Sequence, residues 1–586
     1  MMHRWLCLLT VLAALGCTKP GEPEGTLRPA RGGRNYGGIY RQNETGELRG
    51  LDPVGLNDVT SGHVAINIYE QLIEFDADLN IVPEIAKSWT ISPDGRTYTC
   101  TLRNDVYFHD DPCFPNGKGR KLTAHDVKYS FTRLVDVREQ TRNDAYLRDK
   151  VVGATEYYEA TRQASRTGKQ PSVRGVSGFV AVSDTTFEII LTKPFAPFIY
   201  TLTQPSFGII PHEAVEKYGR DLFQHPVGTG PFAFVEWSPD RHCILKRNHK
   251  YWAVDSFGNQ LPYLDGIRFS FMKDDKMQLL EFAAGKLEES YRIPNEYFAD
   301  IVDEYKRPRG KWSKFVLLHK TALATQYYGF LNTDPVFRDV RVRQAFNYAV
   351  DRNRIIRYVL KGQASGPAHH GIVPPSMPGY ASDSVEGYSF NPAKARALLA
   401  EAGYPGGKGF PQITLQLNAG GGRNMSIAES IQGMLKEHLN VNVTLMQVEF
   451  AQHLTDIDKG KAPFYRLGWV ADYPDPESFL NLYYGKLVPK DGGDSPINSV
   501  RYQHPAFDRI FEQALTTTDH AERMRLYRQA EQIAIHDAPM LLILNDEDYR
   551  FIQPYVKGHP NNAMDRTPYN QTWFDYSSSS TSRSGM

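Results

Sequence analysis

The sequence predicts an α/β protein of two or three domains, and three observations support this prediction. The chain has 586 residues, more than the roughly 100–200 residues of an ordinary domain. Strand-like and helix-like hydrophobic patterns alternate along the sequence. Hydrophobic residues make up 41% of the chain and aromatic residues 12%, well above a disordered composition. We therefore expect a globular protein built from several lobes.

The charge composition argues against a nucleic-acid-binding protein. The chain has 67 basic and 67 acidic residues, so its formal net charge is zero. No overall field draws such a protein to nucleic acid or to an anionic membrane surface. Charge is therefore expected to act locally, inside a binding site.

The N-terminus has the pattern of an export signal. Arg4 precedes the apolar run Trp5–Leu15, which is too short to span a bilayer but suits a signal-peptide core. Small residues then precede Cys17, and this pattern resembles the bacterial lipoprotein processing box. It predicts a signal peptide over residues 1–16 and a lipid on Cys17, which would anchor the protein at the periplasmic or extracellular face of a bacterial membrane. The alternative is a plain secretory signal with an incidental cysteine.

Residues 17–34 are rich in proline and glycine and have almost no apolar side chains, which predicts a solvated tether. Beyond Cys17 the chain has three cysteines, Cys100, Cys113 and Cys243. Three cysteines cannot all pair. One disulfide between two of them is possible, and the sequence does not identify which two. No cysteine or histidine spacing indicates zinc.

Regular elements follow in order. Alternating apolar residues predict a strand over Arg96–Arg103, continued by Val106 and Phe108. Thr123 is a cap for a helix that extends to Leu134. A second strand is predicted over Phe187–Leu191, where every other residue is apolar.

Two more helices are predicted further along the chain. Apolar residues at helical spacing predict a helix over Val342–Ala349. Another begins at Asn391-Pro392 and ends at Gly403, where the cap and terminator residues agree. The final stretch, Ser577–Met586, is rich in serine and is expected to be frayed.

Motifs for catalysis are missing from the sequence. It has no phosphate-binding loop, zinc-protease helix, nucleophile elbow or EF-hand loop. Gly420–Gly422 is interpreted as a loop. The pair His369-His370 lies among glycines and prolines, which favours solvated side chains over metal ligands. We expect a binding protein without metal or cofactor; an exported peptidase with dispersed catalytic residues is the alternative.

Eight segments form one ordered set of motifs along the chain. They are Pro83–Trp89, Pro93–Tyr98, Leu102–Asp110, Leu122–Val127, Gly228–Phe232, Arg341–Arg352, Asn391–Tyr404 and Gly468–Pro476. Their joint order and spacing resemble those of the peptide-class solute-binding proteins of ABC importers, bacterial solute-binding protein family 5.

The resemblance implies a two-lobe hinged periplasmic-binding-protein fold, type II-like and of the large peptide-binding cluster, with an extra subdomain on the first lobe. Lobe I would be discontinuous, formed by residues 35–82, 210–323 and 545–586. The extra subdomain would comprise residues 83–209, and lobe II residues 324–544.

The resemblance also implies the function: a monomeric lipoprotein captures oligopeptides between its lobes and delivers them to an ABC permease in the membrane. Relatives on one scaffold differ in cargo, so a nickel chelate, haem or an oligosaccharide is the alternative. Sensing or scavenging without import is a third interpretation.

Three site residues follow from the segment around Gly468–Pro476. Asp472 matches the aspartate that neutralises the peptide ammonium in family members, although it could instead organise a turn. Trp469 could stack on the ligand or fill the lobe core. Arg466 matches an arginine that offers a planar fork to a carboxylate, or it forms a surface salt bridge.

The rest of the expected site matches the family less well. Asn424 occupies a histidine position, with Arg423 beside it, and Ile457 occupies a second arginine position. Leu541–Leu544 stands where relatives present tyrosines, which predicts a more apolar wall. Glu70 matches a cleft-lining segment or is structural. The sequence therefore predicts a longer peptide, a peptide with hydrophobic side chains, or a ligand that is not a peptide.

Overall fold

The computed structural model describes residues 27–419 and 422–577. The predicted signal peptide, Cys17 and residues 18–26 of the predicted tether lie outside the described residues. Gly420, Gly421 and the chain beyond Ser577 lie outside them as well.

The described residues form twenty-one strands and fifteen α-helices, together with short 3-10 turns and a π-helical segment, Ile355–Val359. The strands are β1 (Arg28–Pro29), β2 (Asn35–Tyr36), β3 (Ile39–Asn43), β4 (Ile73–Phe75), β5 (Ile81–Pro83), β6 (Ala86–Ile91), β7 (Thr97–Leu102), β8 (Phe179–Ser183), β9 (Thr186–Ile190), β10 (Phe232–Ser238), β11 (His242–Arg247), β12 (Gly266–Ser270), β13 (Glu289–Tyr291), β14 (Val316–Phe330), β15 (Gly366–Pro367), β16 (Ile413–Asn418), β17 (Val443–Val448), β18 (Phe464–Val470), β19 (Met540–Ile552), β20 (Val556–Lys557) and β21 (Trp573–Phe574). The helices are α1 (Val59–Ala65), α2 (Ala124–Arg133), α3 (Ala154–Thr167), α4 (Phe198–Thr201), α5 (His212–Tyr218), α6 (Asp275–Ala283), α7 (Asn295–Ile301), α8 (Val340–Ala349), α9 (Arg352–Arg354), α10 (Pro392–Glu401), α11 (Gly422–Leu439), α12 (Phe450–Asp458), α13 (Glu477–Leu480), α14 (Pro505–Thr516) and α15 (His520–Asp537). Within the described ranges, no helix combines the length and apolarity that crossing a bilayer requires.

The α/β class and the five predicted elements are confirmed. They correspond to β7, α2, β9, α8 and α10. The Asp126 carboxylate accepts a hydrogen bond from the Thr123 amide at 2.8 Å, as expected for a capped helix start. Val106 and Phe108 are buried but lie outside the strand, where only Tyr107 forms an isolated bridge, with Lys121. Gly422 begins α11, so the loop predicted there gives way to a helix.

The predicted tether is shorter than expected at its C-terminal end. Arg28 and Pro29 pair with Tyr36 and Asn35 in an antiparallel ribbon. The Arg28 guanidinium also contacts the Asp265 carboxylate at 2.9 Å. Residues 28–36 therefore belong to the folded protein, because backbone pairing and an ion pair hold them against it.

Two four-stranded sheets share one hydrophobic core. One has the order β10-β11-β12-β3 and the other β6-β7-β9-β8. Leu245 and Phe269 of the first sheet and Tyr98 and Phe187 of the second belong to the same buried cluster. Since no solvent separates the sheets, they pack as one unit.

The largest sheet has the order β13-β19-β14-β18-β16-β17, with β15 added on β19. Its central strands are long: β14 has 15 residues and β19 has 13. Fifteen residues extend about 50 Å. The C-terminal end of β19 lies between β13 and β14, and the C-terminal half of β14 lies between β19 and β18. The antiparallel register between β14 and β19 shifts between Thr321 and Thr325, near the middle of both strands.

Candidate functional site

Two of the predicted site residues lie at the end of β18. Trp469 is in register with Thr325 of β14 and is half-buried against the neighbouring core. Its indole nitrogen donates to the Ser478 hydroxyl at 3.4 Å, and the amide of Asp472 donates to the same oxygen at 3.0 Å. Ser478 is buried on α13, so it ties the strand end to the turn that follows.

The Asp472 carboxylate is accessible yet poorly solvated. Its side chain is exposed, but the surrounding protein desolvates it and raises its pKa to about 6. Among the described residues, no neighbouring cation and no hydrogen bond opposes this shift. An exposed carboxylate that has lost hydration without gaining a partner is suited to bind a cation.

A segment that follows β9 in the chain contacts the backbone of Asp472 and the ring of Tyr473. The Gln204 amide donates to the carbonyl of Asp472. Tyr200 stacks on Tyr473, with ring centroids 6.0 Å apart and planes inclined by 10°. The segment 196–204 therefore contacts residues 472–473 next to the Asp472 side chain.

Arg466 lies on β18, six residues before Asp472. Its guanidinium donates to two neutral oxygens, Asn418 Oδ1 at 3.2 Å and Gln326 Oε1. Burial lowers its pKa, and the positive charge of Arg423 acts in the same direction. Arg466 is thus a partly buried cation held by amides, and the predicted alternative of a surface salt bridge does not describe it.

Gly468 makes room for the amide that holds Arg466. A Cβ on Gly468 would lie 2.5 Å from Gln326 Oε1. Any larger residue there would displace the amide, because this distance is far below van der Waals contact. The Gln326 side chain also donates to Asp546 on β19, so it separates a cation from an anion.

Arg423 and Asn424 join this arrangement from the first turn of α11. The Arg423 guanidinium forms an ion pair with the Asp546 carboxylate at 2.7 Å. The Asn424 amide lies 3.5 Å from Asn418 Oδ1, the oxygen that also receives Arg466. The structure therefore brings three predicted residues together through side chains that the sequence did not identify: Gln326, Asn418 and Asp546.

Glu70 lies elsewhere. It has no exposed surface, and its carboxylate accepts a hydrogen bond from Trp252 Nε1 at 2.6 Å. Burial raises its pKa to about 8. This placement corrects the expectation that Glu70 lines a cleft, since a side chain enclosed in the core cannot present itself to a solute.

The predicted apolar wall is also corrected. Leu541–Leu544 is at most 5% exposed, within the core. The polar residues Asp546 and Asp548 follow on the same strand and are only partly buried. Asp546, Asp548 and Arg550 share one face of the strand, but residues 545–548 are all polar, so the sequence pattern did not show which side chains face solvent.

The other candidate ligands have structural partners. The Nδ1 atoms of His369 and His370 lie 3.1 and 3.0 Å from the carbonyls of Tyr388 and Val385. Within the described ranges no group of three or more histidine, cysteine or carboxylate side chains could hold a metal. Cys100, Cys113 and Cys243 are unpaired, so the disulfide left open by the sequence is not formed.

Among the described residues, no strand pairs with the second edge of β18 beyond Tyr465. The strand pairs with β14 from Phe464 to Val470, but with β16 only at Phe464 and Tyr465. The carbonyl of Arg466 points away from β14, since it lies 2.8 Å from His453 Nε2. Strand alternation directs the main-chain groups of Gly468 and Val470 the same way. These groups can take one further extended chain.

Comparison with known proteins identifies relatives of this architecture. The family model "Bacterial extracellular solute-binding proteins, family 5 Middle" matches residues 80–489. The periplasmic oligopeptide-binding protein OppA of Escherichia coli is 29% identical over 88% of this chain and 89% of its own length. The heme-binding protein A of Haemophilus influenzae is 30% identical over 87% of each chain.

A solved structure supports the same relationship. The periplasmic binding protein DppA of Helicobacter pylori, solved in complex with the peptide STSA, superimposes with a TM-score of 0.74 at 25% identity. The match covers 92% of this chain and 98% of that one. The two-lobe binding-protein fold predicted from the sequence is confirmed. With a family model matched over most of its length, this chain belongs to the family 5 bacterial extracellular solute-binding proteins.

Proposed function

We propose that the protein captures oligopeptides between two lobes and hands them to an ABC permease. The observation that carries the proposal is a pair of charges without an ion-pair partner among the described residues, Arg466 on β18 and Asp472 two residues after its end, beside an open strand edge. A peptide has an ammonium at one end, a carboxylate at the other and main-chain groups between them. Asp472 would take the ammonium and Arg466 the carboxylate.

The spacing of the two charges suits an extended ligand. Asp472 follows Arg466 by six positions, which is about 20 Å of extended chain. A bound peptide would add a strand at Gly468 and Val470, as peptides do on exposed sheet edges. Because charged groups and backbone bonds supply this recognition, it does not depend on a particular side chain.

The long central strands supply a hinge for closure. The proposed lobe I comprises residues 35–82, 210–323 and 545 onward, and the proposed lobe II residues 324–544. The register shift between Thr321 and Thr325 lies at this boundary. A ligand that contacts both lobes shifts the population toward the closed form, which a permease can distinguish from the open one.

The segment 83–209 is proposed as a subdomain that completes the closed form. Ala196 N donates to the carbonyl of Leu515 at 2.9 Å, and Gln204 reaches Asp472. These contacts join the subdomain to the proposed lobe II next to the ammonium position. Peptide binding and closure would therefore stabilise each other.

The proposed setting is the periplasmic or extracellular face of a bacterial membrane, with a lipid on Cys17 after removal of residues 1–16. Residues 18–27 would then link the anchor to the folded part that begins at β1. Two acyl signals give the stable anchoring that a single chain lacks.

The function is tested by calorimetry on the purified protein with one hexapeptide in two forms, because about six extended residues span the roughly 20 Å between the two charges. The first form has free termini, and the second is acetylated and amidated. We expect the free form to bind at least 30-fold more tightly, since both charge pairs are lost in the blocked form. Equal affinity would contradict the proposal, as would heat release only with non-peptide solutes.

A further inference from the structure

One surface loop has a strong local excess of positive charge. Residues 305–315, which link α7 to β14 and are called the basic loop below, contain five lysine and arginine residues and no aspartate or glutamate. The chain as a whole has a formal net charge of zero. The basic loop therefore produces a local positive field that the overall composition does not show.

The fold holds the basic loop in place. The Asp303 amide donates to the Arg307 carbonyl at 2.9 Å, and the Lys306 amide donates to the Asp303 carbonyl at 3.0 Å, which closes a tight turn. Further along the loop, Trp312 is buried and stacks on Phe551 of β19, with ring centroids 5.5 Å apart and planes inclined by 27°. The turn and the buried ring therefore keep the charged side chains between them at the surface.

Three of the five cations in the basic loop lack an ion-pair partner. The Lys306 ammonium lies 2.6 Å from Glu547, and the Arg307 guanidinium lies 2.9 Å from Asp303. The other three cations are exposed, and no carboxylate of the described residues lies within ion-pair distance of them. They are Arg309, Lys311 and Lys314. Their charges can act on a partner outside the protein.

An aromatic side chain projects from the turn beside these charges. Tyr305 is 69% exposed, the most exposed of the large hydrophobic side chains in the part of the chain that the structure describes. Tyrosine is enriched at membrane–water interfaces, because its ring suits the apolar side and its hydroxyl stays hydrated. Lysine and arginine clusters are in turn attracted to anionic lipid headgroups. The basic loop combines both features.

The basic loop lies on the side of the largest sheet opposite the proposed peptide site. Glu547, which pairs with Lys306, directly follows Asp546 on β19, and successive strand residues point to opposite faces. Asp546 pairs with Arg423 on the side of the peptide site. A bound peptide would therefore leave the basic loop uncovered.

We infer that the basic loop binds an anionic membrane surface, with phospholipid phosphate groups as the partners of Arg309, Lys311 and Lys314. The proposed setting supplies this partner, because a lipid on Cys17 would keep the folded part near the headgroups. Residues 18–27, between that lipid and β1, extend at most about 35 Å. Contact through the loop would orient the anchored protein on the membrane, which a lipid on a tether alone does not do.

The test uses the protein without residues 1–17, so that neither the predicted signal peptide nor a lipid contributes. Its partition onto vesicles is measured by sedimentation, with phosphatidylcholine alone and with a mixture containing about one third phosphatidylglycerol. We expect binding to the anionic vesicles only, and its loss at high salt, because salt screens exposed charges. Replacing Arg309, Lys311 and Lys314 by glutamine, singly and together, should weaken the partition about fivefold for each charge removed.

A matched control removes the same charge elsewhere. Arg166, Lys169 and Arg174, at and after the end of α3, are exposed, and their triple replacement by glutamine should bind anionic vesicles as wild type does. Equal weakening by the two triple variants would show that net charge and not the basic loop is responsible, and would overturn the inference. Equal binding of wild type to both kinds of vesicle would overturn it too.

Two further measurements identify the partner. Tyr305→Ser should weaken vesicle binding about threefold and leave its salt dependence unchanged, since the ring contributes apolar contact and no charge. Retention on immobilised polyglutamate without any vesicle binding would assign the loop to an acidic protein and overturn the inference. Peptide affinity should be the same in all these variants, so failure of the inference is distinguishable from failure of the proposed function.

Discussion

Arg466 on β18 and Asp472, two residues after the strand ends, differ in how neighbouring side chains support their charges. Arg466 is held by two amide oxygens, and Asp546 and Arg423 lie behind one of those amides. The Asp472 carboxylate has lost hydration and gained no partner within the described residues. A cation with supporting neighbours can share its task with them, whereas an isolated carboxylate cannot. We therefore expect the Asp472 end to be the more sensitive to change.

The largest effect is expected from Asp472→Asn. The amide keeps the shape of the side chain but leaves a desolvated ammonium without a counter-ion, which costs about 2–5 kcal/mol. The affinity for a peptide with a free amino terminus should fall roughly 30-fold or more. Calorimetry with free and N-acetylated forms of one peptide measures this effect.

The acetylated peptide is the internal control for that variant. Its affinity should be the same for wild type and Asp472→Asn, because it has no ammonium to lose. An equal loss for both peptides would show that the substitution disturbs the turn around Ser478 instead, which is the structural interpretation of Asp472.

Arg466→Gln should have a smaller effect. Charge-assisted hydrogen bonds to a carboxylate are about twice as strong as neutral ones, but Arg423 lies close enough to replace part of the lost charge. We expect a loss of about tenfold for peptides with a free carboxylate and little change for C-terminal amides. A loss as large as that of Asp472→Asn would contradict the expectation that the Asp472 position is more sensitive than the Arg466 position.

Acidification should weaken binding through Asp472. The raised pKa of about 6 in the free protein means that the carboxylate takes up a proton as the pH falls from 7 to 5. Binding an ammonium requires the charged form, so the affinity should drop about tenfold over this range. Glu477 has a pKa raised to about 7 by burial and titrates in the same range. Glu74 and Glu531 have pKa values raised to about 7 as well, so a drop that persists in Asp472→Asn would show that a carboxylate other than Asp472 is responsible.

The sequence predicted the local elements, because caps and apolar alternation are local signals, and the corresponding helices and strands are present. The segments that contain Arg423 and Trp469 came from the family resemblance, and their role in ligand binding stays a prediction. The sequence did not predict Gln326, Asn418 and Asp546 as neighbours of the site. They come from three strands that are distant in sequence and meet only in the assembled sheet. Glu70 was expected to line a cleft because its segment matches the family. The fold buries its side chain, and a local sequence match does not show burial.

The smallest effect, and the sharpest comparison of the two ends, is expected from Gln326→Glu. A carboxylate at this position would lie beside Arg466 and neutralise the charge that the amide leaves available, and it would repel Asp546 as well. The affinity for a free-carboxylate peptide should fall about fivefold, while its response to N-acetylation stays unchanged. Gln326→Met, similar in size but uncharged, should keep more of the affinity than Gln326→Glu. If both variants behave alike, the amide acts only by packing, and the charge of Arg466 is not what selects the ligand carboxylate.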